Sequence, residues 1–94
     1  MSVVNIFEEI QVELAKAEAK FPTWPTDILH AYAVVGEECG ELNKATLQYV
    51  YEPHKSNLTE VRMEAIQTAA MSIRFLLSLD AYLVQPCEQH TQSF

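Results

Sequence analysis

Residues 27–51 read DILHAYAVVGEECGELNKATLQYVY, and this stretch decides the fold. Ile28, Tyr32, Val35, Cys39, Leu42 and Tyr49 recur in it at nearly heptad spacing, and Thr26 or Asp27 is placed to cap its first turn. The spacing predicts one continuous helix to about Tyr51, about 36 Å long at 1.5 Å per residue. Gly36 and Gly40 lie one turn apart inside it, where each costs roughly 1 kcal/mol relative to alanine. They therefore predict a close approach of another helix at that level. Cys39, on the apolar stripe between the glutamates, is expected to be packed rather than nucleophilic, because no histidine is placed to act as its base.

Upstream, Phe21, Pro22, Thr23, Trp24 and Pro25 interrupt the helical pattern, since prolines remove backbone donors and restrict the residue before them. Before that break, Ile6, Ile10, Leu14 and Ala17 mark one side of a first helix ending near Lys20, with Asn5 and Glu8 spaced as a capping box. Downstream, residues 52–56 (EPHKS) read as a turn, and Asn57 with Glu60 forms a second capping box. A third helix is expected from Leu58 to about Leu79. Val61, Ala65, Ala69 and Leu76 mark one of its faces, and Met63, Ile66, Ala70, Ile73 and Leu77 another. A helix apolar on so many sides wants more neighbours than two partners supply, which predicts self-association. The segment after Pro86 is polar and is expected to fray.

These elements make an all-α protein: an antiparallel hairpin of two long helices with an N-terminal helix, whose four-helix bundle core is completed on dimerisation. At 94 residues the chain has room for one modest domain. Half of it is hydrophobic, which is too apolar for disorder. Thirteen acidic residues against six basic ones give a net charge of −7, which disfavours nonspecific binding to nucleic acid or to an anionic membrane. The first ten residues carry acids where a signal peptide has basic residues, and no apolar run approaches membrane-spanning length, so a cytoplasmic protein is expected. Cys39 and Cys87 form no CxxC pair and read as reduced thiols.

The chemistry concentrates in VVGEECGELNKA, residues 34–45, where Glu38 and Glu41 project from neighbouring turns of one face with Glu37 beside them. On the third helix Glu60, Glu64, Gln67, Met71 and Arg74 form a continuous side. If the long helices pack antiparallel, Glu38 and Glu41 meet Glu64 and Gln67, joining three carboxylates to an amide oxygen. Hard oxygen donors of this kind suit magnesium or manganese, and the absence of imidazole and thiolate argues against zinc. Magnesium bridges protein carboxylates to substrate phosphates, so the chemistry served is phosphoryl or nucleotidyl transfer to water, with Glu37 placed to position or deprotonate that water. On composition alone the same residues read more readily as a solvated helical face than as a metal site, because glutamate is a good helix former and surfaces are charged.

The stretch from about Lys20 to Leu79 resembles the MazG-like branch of the all-alpha nucleoside triphosphate pyrophosphohydrolases, whose hallmark is EExxE in one helix followed by ExxD in the next. Glu37, Glu38 and Glu41 match the first element and Glu64 the first acid of the second. Gln67 stands where the family has an aspartate. The resemblance implies that Glu38 and Glu41 bind magnesium while Glu37 assists at the water, and that Glu64 and Gln67 complete the metal site. It implies one helical domain over residues 1–84, with residues 85–94 as a tail. It further implies a nucleoside or deoxynucleoside triphosphate substrate cleaved to the monophosphate and pyrophosphate, and assembly as a homodimer or homotetramer. Lys20, Lys44 and Arg74 are candidates for phosphate contacts, and Phe21 and Trp24 for packing on a base or plugging the open end of the helical core. Glutamine supplies a neutral oxygen without the charge of a carboxylate. The alternative is therefore a catalytically weakened helical dimer that binds a nucleotide or a protein.

Overall fold

The computed structural model describes residues 2–83, which form three helices: α1 (Val3–Lys20), α2 (Ile28–Tyr51) and α3 (Leu58–Leu83). Among these residues there is no strand, so the molecule is all-α as expected. The expected tail at 85–94 lies outside the described residues.

Each helix starts at a side-chain cap that satisfies an otherwise orphaned backbone donor. Asp27 accepts from the His30 backbone N–H at 3.0 Å and Asn57 from that of Glu60 at 2.8 Å, as the spacing predicts. The first helix differs from its expected start. Ser2, not Asn5, is the cap: its Oγ accepts the Asn5 N–H at 3.2 Å and donates to Asn5 Oδ1 at 2.8 Å. Asn5 is thereby drawn into the first turn as the partner of the cap. The third helix also runs past the expected Leu79 to Leu83, because nothing between Ser78 and Tyr82 breaks a helix and Tyr82 is anchored by donating to the Pro25 carbonyl at 2.6 Å.

Two cross-links fix the relation of α1 to α3. Glu9 and Arg62 pair through both carboxylate oxygens, and Arg74 Nη2 donates to the Phe21 carbonyl at 2.8 Å. Both pairs have the same sequence offset, so α1 and α3 run parallel in constant register. Between α2 and α3 the register falls as the other rises: Thr68 Oγ1 donates to the Glu38 carbonyl at 3.2 Å, and Tyr82 to Pro25 beyond the start of α2. Those two helices are antiparallel, as expected. Helices α1 and α2 flank α3 without packing against each other, leaving an open furrow between them.

The packing is shallow. Among the described residues the only buried apolar ones are Ala31, Ala45 and Ala70, and no large side chain is wholly buried. Ile6, Ile10, Leu14 and Ala17 are half-buried, the expected inner side of α1. On α2 the inner face is one step round from the predicted stripe: Ala31 and Ala45 are buried with Glu38 and Leu42 half-buried between them, whereas Ile28, Tyr32, Cys39 and Tyr49 are exposed. Both faces of α2 carry apolar residues, and alanines let helix backbones approach while bulky side chains hold them apart, so the small-residue face goes inward. Cys39, expected to be packed, is therefore exposed. The glycines also depart from expectation. A Cβ added at Gly36 or Gly40 would meet nothing within 4 Å among the described residues, so none of them makes a close approach there. Leu29, Leu76 and Leu77 are likewise exposed, and the antiparallel register sets them level with one another at the end of the molecule where Ile28 lies. No described helix is long and apolar enough to cross a membrane.

Candidate active site

With the phases of α2 and α3 set by Asp27 and Asn57, Glu38 arrives opposite Thr68, one turn from Glu64. The Thr68 hydroxyl lies 2.8 Å from the Glu64 carbonyl and 3.2 Å from that of Glu38, tying the two acid-bearing turns together. Partial burial raises the Glu38 carboxyl above its ordinary value, and the charges of Glu64, Glu41, Glu37 and Glu13 push it the same way. Glu64 is raised by partial burial and by Glu41 and Glu60. The charges of Glu41 and Glu64 therefore reach Glu38, and that of Glu41 reaches Glu64. Among the described residues no three acids, histidines or cysteines are gathered closely enough to hold a metal ion. Like charges with no cation among them repel, and Glu37 and Glu41 extend into solvent.

The furrow between α1 and α2 deepens, above the acids, into a cleft of about 570 Å³. Glu38 and Gln67 line it where it meets the acidic neighbourhood; Val34 and Met71 supply apolar wall; Lys20, Phe21, Thr23, Trp24, Pro25 and Arg74 line the rest from the loop side. Of the residues expected to touch a substrate, Lys20, Phe21, Trp24 and Arg74 come together here. Lys44 does not: it is exposed on α2 outside the cleft. Glu37, Glu41 and Glu64 also lie outside the lining, so the cleft reaches the acids through Glu38.

Arg74 has a role that its helical position alone does not reveal. It is 7% exposed, its Nη2 donates to the Phe21 and Thr23 carbonyls at 2.8 and 3.3 Å, and its guanidinium lies 4.8 Å from the centre of the Trp24 ring. The side chain clamps the 21–25 loop to α3 and backs the indole. Trp24 Nε1 is buried with no hydrogen-bond partner among the described residues. Lys20 Nζ sits 5.4 Å from the centre of the Phe21 ring at the rim.

The α1 wall of the cleft consists of Glu13, Lys16, Ala17 and Lys20, and Glu13 and Lys16 are functional candidates that the sequence reading missed. Their signal is the spacing i, i+3, i+4, i+7, which puts all four on one helical face. Of that face only Ala17, as a packing residue, and Lys20, as a phosphate contact, are singled out by the sequence.

No family model matches this chain, and neither a curated protein nor a solved structure matches it. The likeness to MazG-like proteins thus stands on the motif residues themselves.

Proposed function

We propose that the protein is a magnesium-dependent nucleoside triphosphate pyrophosphohydrolase, releasing a nucleoside monophosphate and pyrophosphate. The observation that carries this reading is the juxtaposition of the Glu38–Glu41–Glu64 neighbourhood with a cleft that holds cations and aromatic rings. Acids alone have a bland explanation as a solvated face, but Glu38 and Glu64 are partly withdrawn from water among like charges. That arrangement opposes ionisation of both groups, and a bound cation would relieve it.

The carboxylates of Glu38, Glu41 and Glu64, with Gln67 also in the cleft lining, are of the hard-oxygen type that suits magnesium or manganese, although among the described residues they are not gathered around one point. Magnesium keeps several waters and needs only one or two protein carboxylates, so a closed cage is not required. The ion when bound supplies charge neutralisation at the phosphates and orients water for in-line attack. The chain's own contribution is positional. Glu37, exposed beside Glu38, is placed to accept a proton from the attacking water. Trp24, backed by Arg74, presents an aromatic surface for a base. The reaction breaks the bond between the α-phosphorus and the oxygen bridging to the β-phosphate; water supplies the new oxygen, and its proton leaves to a carboxylate or to solvent.

A second copy of the chain is the partner that best accounts for Ile28, Leu29, Tyr32, Leu76 and Leu77 standing exposed when no large apolar side chain is buried among the described residues. A homodimer or homotetramer would bury them and complete the four-helix core. A Leu29→Glu variant should then sediment as a smaller species than the natural protein.

Gln67 favours one second reading, a site that binds nucleotide without turning it over, because the neutral amide stands where a carboxylate would strengthen metal binding. Pyrophosphate release from a panel of canonical and modified triphosphates, with and without magnesium or manganese, separates the two. Metal-dependent release by the natural protein, lost in folded Glu38→Ala and Glu41→Ala proteins, is the expected result. Activity appearing only in Gln67→Asp protein would establish the binding reading, and silence from both proteins would overturn the hydrolase.

A further inference from the structure

The chain carries six cationic side chains in a protein of net charge −7, and three of them, Lys16, Lys20 and Arg74, line one cleft. Two carboxylates, Glu13 and Glu38, share that lining, so cations outnumber acids in this cleft of a strongly acidic molecule. The other cations are differently engaged. Arg62 pairs with Glu9 and Lys55 with Glu52, and Lys44 stands outside the cleft. Within the cleft, Arg74 Nη2 is committed to the loop carbonyls. Lys16 and Lys20 remain as point charges on flexible stems, one turn apart on the same face of α1, about 5–6 Å between their Cβ atoms by helix geometry.

We propose that Lys16 and Lys20 form a polyphosphate-binding subsite on the α1 wall of the cleft, facing Glu38 and Gln67 across it. Helix α1 is then a working wall of the site, not just a brace for α3. The ligand class is an oligophosphate bearing a planar ring: the lysines take the phosphates, and Trp24, with Arg74 behind its ring, takes the ring. Because α1 packs on α3 and not on α2, the distance between the lysines and Glu38 is set by α3 alone, through the Glu9–Arg62 and Phe21–Arg74 links. The assignment deepens the nucleotide reading of this cleft and rests on it, but anion binding and hydrolysis are measured separately.

The test is equilibrium dialysis of inorganic tripolyphosphate against the full chain, with chelator and with magnesium, in natural, Lys16→Gln/Lys20→Gln and Lys44→Gln proteins. Folding of each is checked by circular dichroism. The lysines are exposed, so the double variant is expected to fold; Lys20→Gln alone is the milder second variant. The natural protein should bind saturably and more weakly as salt is raised, since exposed charges are screened. Loss of two charged contacts should raise the dissociation constant about tenfold or more. Lys44→Gln should leave it within about twofold, as a surface charge outside the site. No saturable binding by the natural protein, or a double variant as tight as the natural one, overturns the subsite. Binding with the expected pattern but no pyrophosphate release from any triphosphate upholds the subsite and overturns the hydrolase. Metal-dependent turnover whose KM is unmoved in the double variant does the reverse.

Discussion

Replacing Arg74 by methionine tests whether this residue holds the lip of the cleft. Methionine keeps most of the buried aliphatic bulk and removes the donors and the charge. One hydrogen bond from a charged donor contributes about 1.5–3 kcal/mol, and the structure shows such a bond to Phe21 O at 2.8 Å, with Thr23 O sharing the same nitrogen at 3.3 Å. The guanidinium over Trp24 adds about 1 kcal/mol. Phe21 and Thr23 are exposed residues whose carbonyls can regain water, which returns part of this, so the expected loss is about 2–3 kcal/mol. For a domain of this size that is a fall in Tm of roughly 10–20 °C, measured at one fixed protein concentration. Trp24 is the chain's single tryptophan, so its fluorescence reports the loop directly and should shift in the variant before global unfolding begins. Tyr82→Phe removes the second anchor, the bond to Pro25 O, and should cost about 1 kcal/mol with a smaller shift of the same emission. A stability loss below about 1 kcal/mol in Arg74→Met with unchanged emission would refute the clamp, since it lies under the value of a single charged hydrogen bond.

Two further outcomes follow from charge and backbone. Glu38 and Glu64 have folded-state pKa values raised above the unfolded 4.5, so the folded chain binds protons more tightly there, and stability should increase as pH falls from neutrality toward 4.5. Glu9, lowered by its hydrogen bond to Arg62, acts in the opposite sense: its contribution is present above 4.5 and is lost as pH falls below it. Urea melts between pH 4 and 8 should therefore show a maximum on the acid side, one that moves toward neutrality when magnesium is added or when Glu38 is replaced by glutamine; a flat or rising profile up to pH 8 would contradict the assigned repulsion. Gly40→Ala should stabilise the chain by about 0.5–1 kcal/mol, because helix-interior glycine is unfavourable and the added methyl meets nothing. A loss of stability in its melting curve would mean that a second copy packs against that turn.

The fold was legible because its signals are local. Caps at Asp27 and Asn57, the proline-bounded break at 21–25 and the EPHKS turn each act within a few residues, and these divide the chain into its three helices. What sequence could not order was the competition between faces. Helix α2 offers both an alanine face and a bulky apolar face, and periodicity weights them alike; only the distance of closest approach to α3 selects Ala31 and Ala45 for the inside. The same competition misplaced Cys39 and the glycines. For the site, the acids were legible as an i, i+3 pattern carried across an antiparallel hairpin. Lys16 and Glu13 were not, because their meaning depends on α1 lying parallel to α3 at constant register, a long-range fact with no local mark.

Glu38 is where stability and function meet in this molecule. It occupies an inner-face position of α2, between Ala31 and Ala45, where leucine or alanine would pack without an electrostatic penalty. A carboxylate there is opposed by partial desolvation and by four like charges. Helix formation does not require it, and no described cation pairs with it: both salt bridges lie elsewhere, at the 52–55 turn and between Glu9 and Arg62. Among the described residues nothing offsets that opposition, and on the proposed function a bound cation would do so. The cleft it opens into brings lysines to the far wall, and among the described residues the Trp24 indole N–H has no acceptor. On the proposed function, a cation on the acid side and an anion on the lysine side would relieve both walls at once, and a metal-bound polyphosphate would carry the two together.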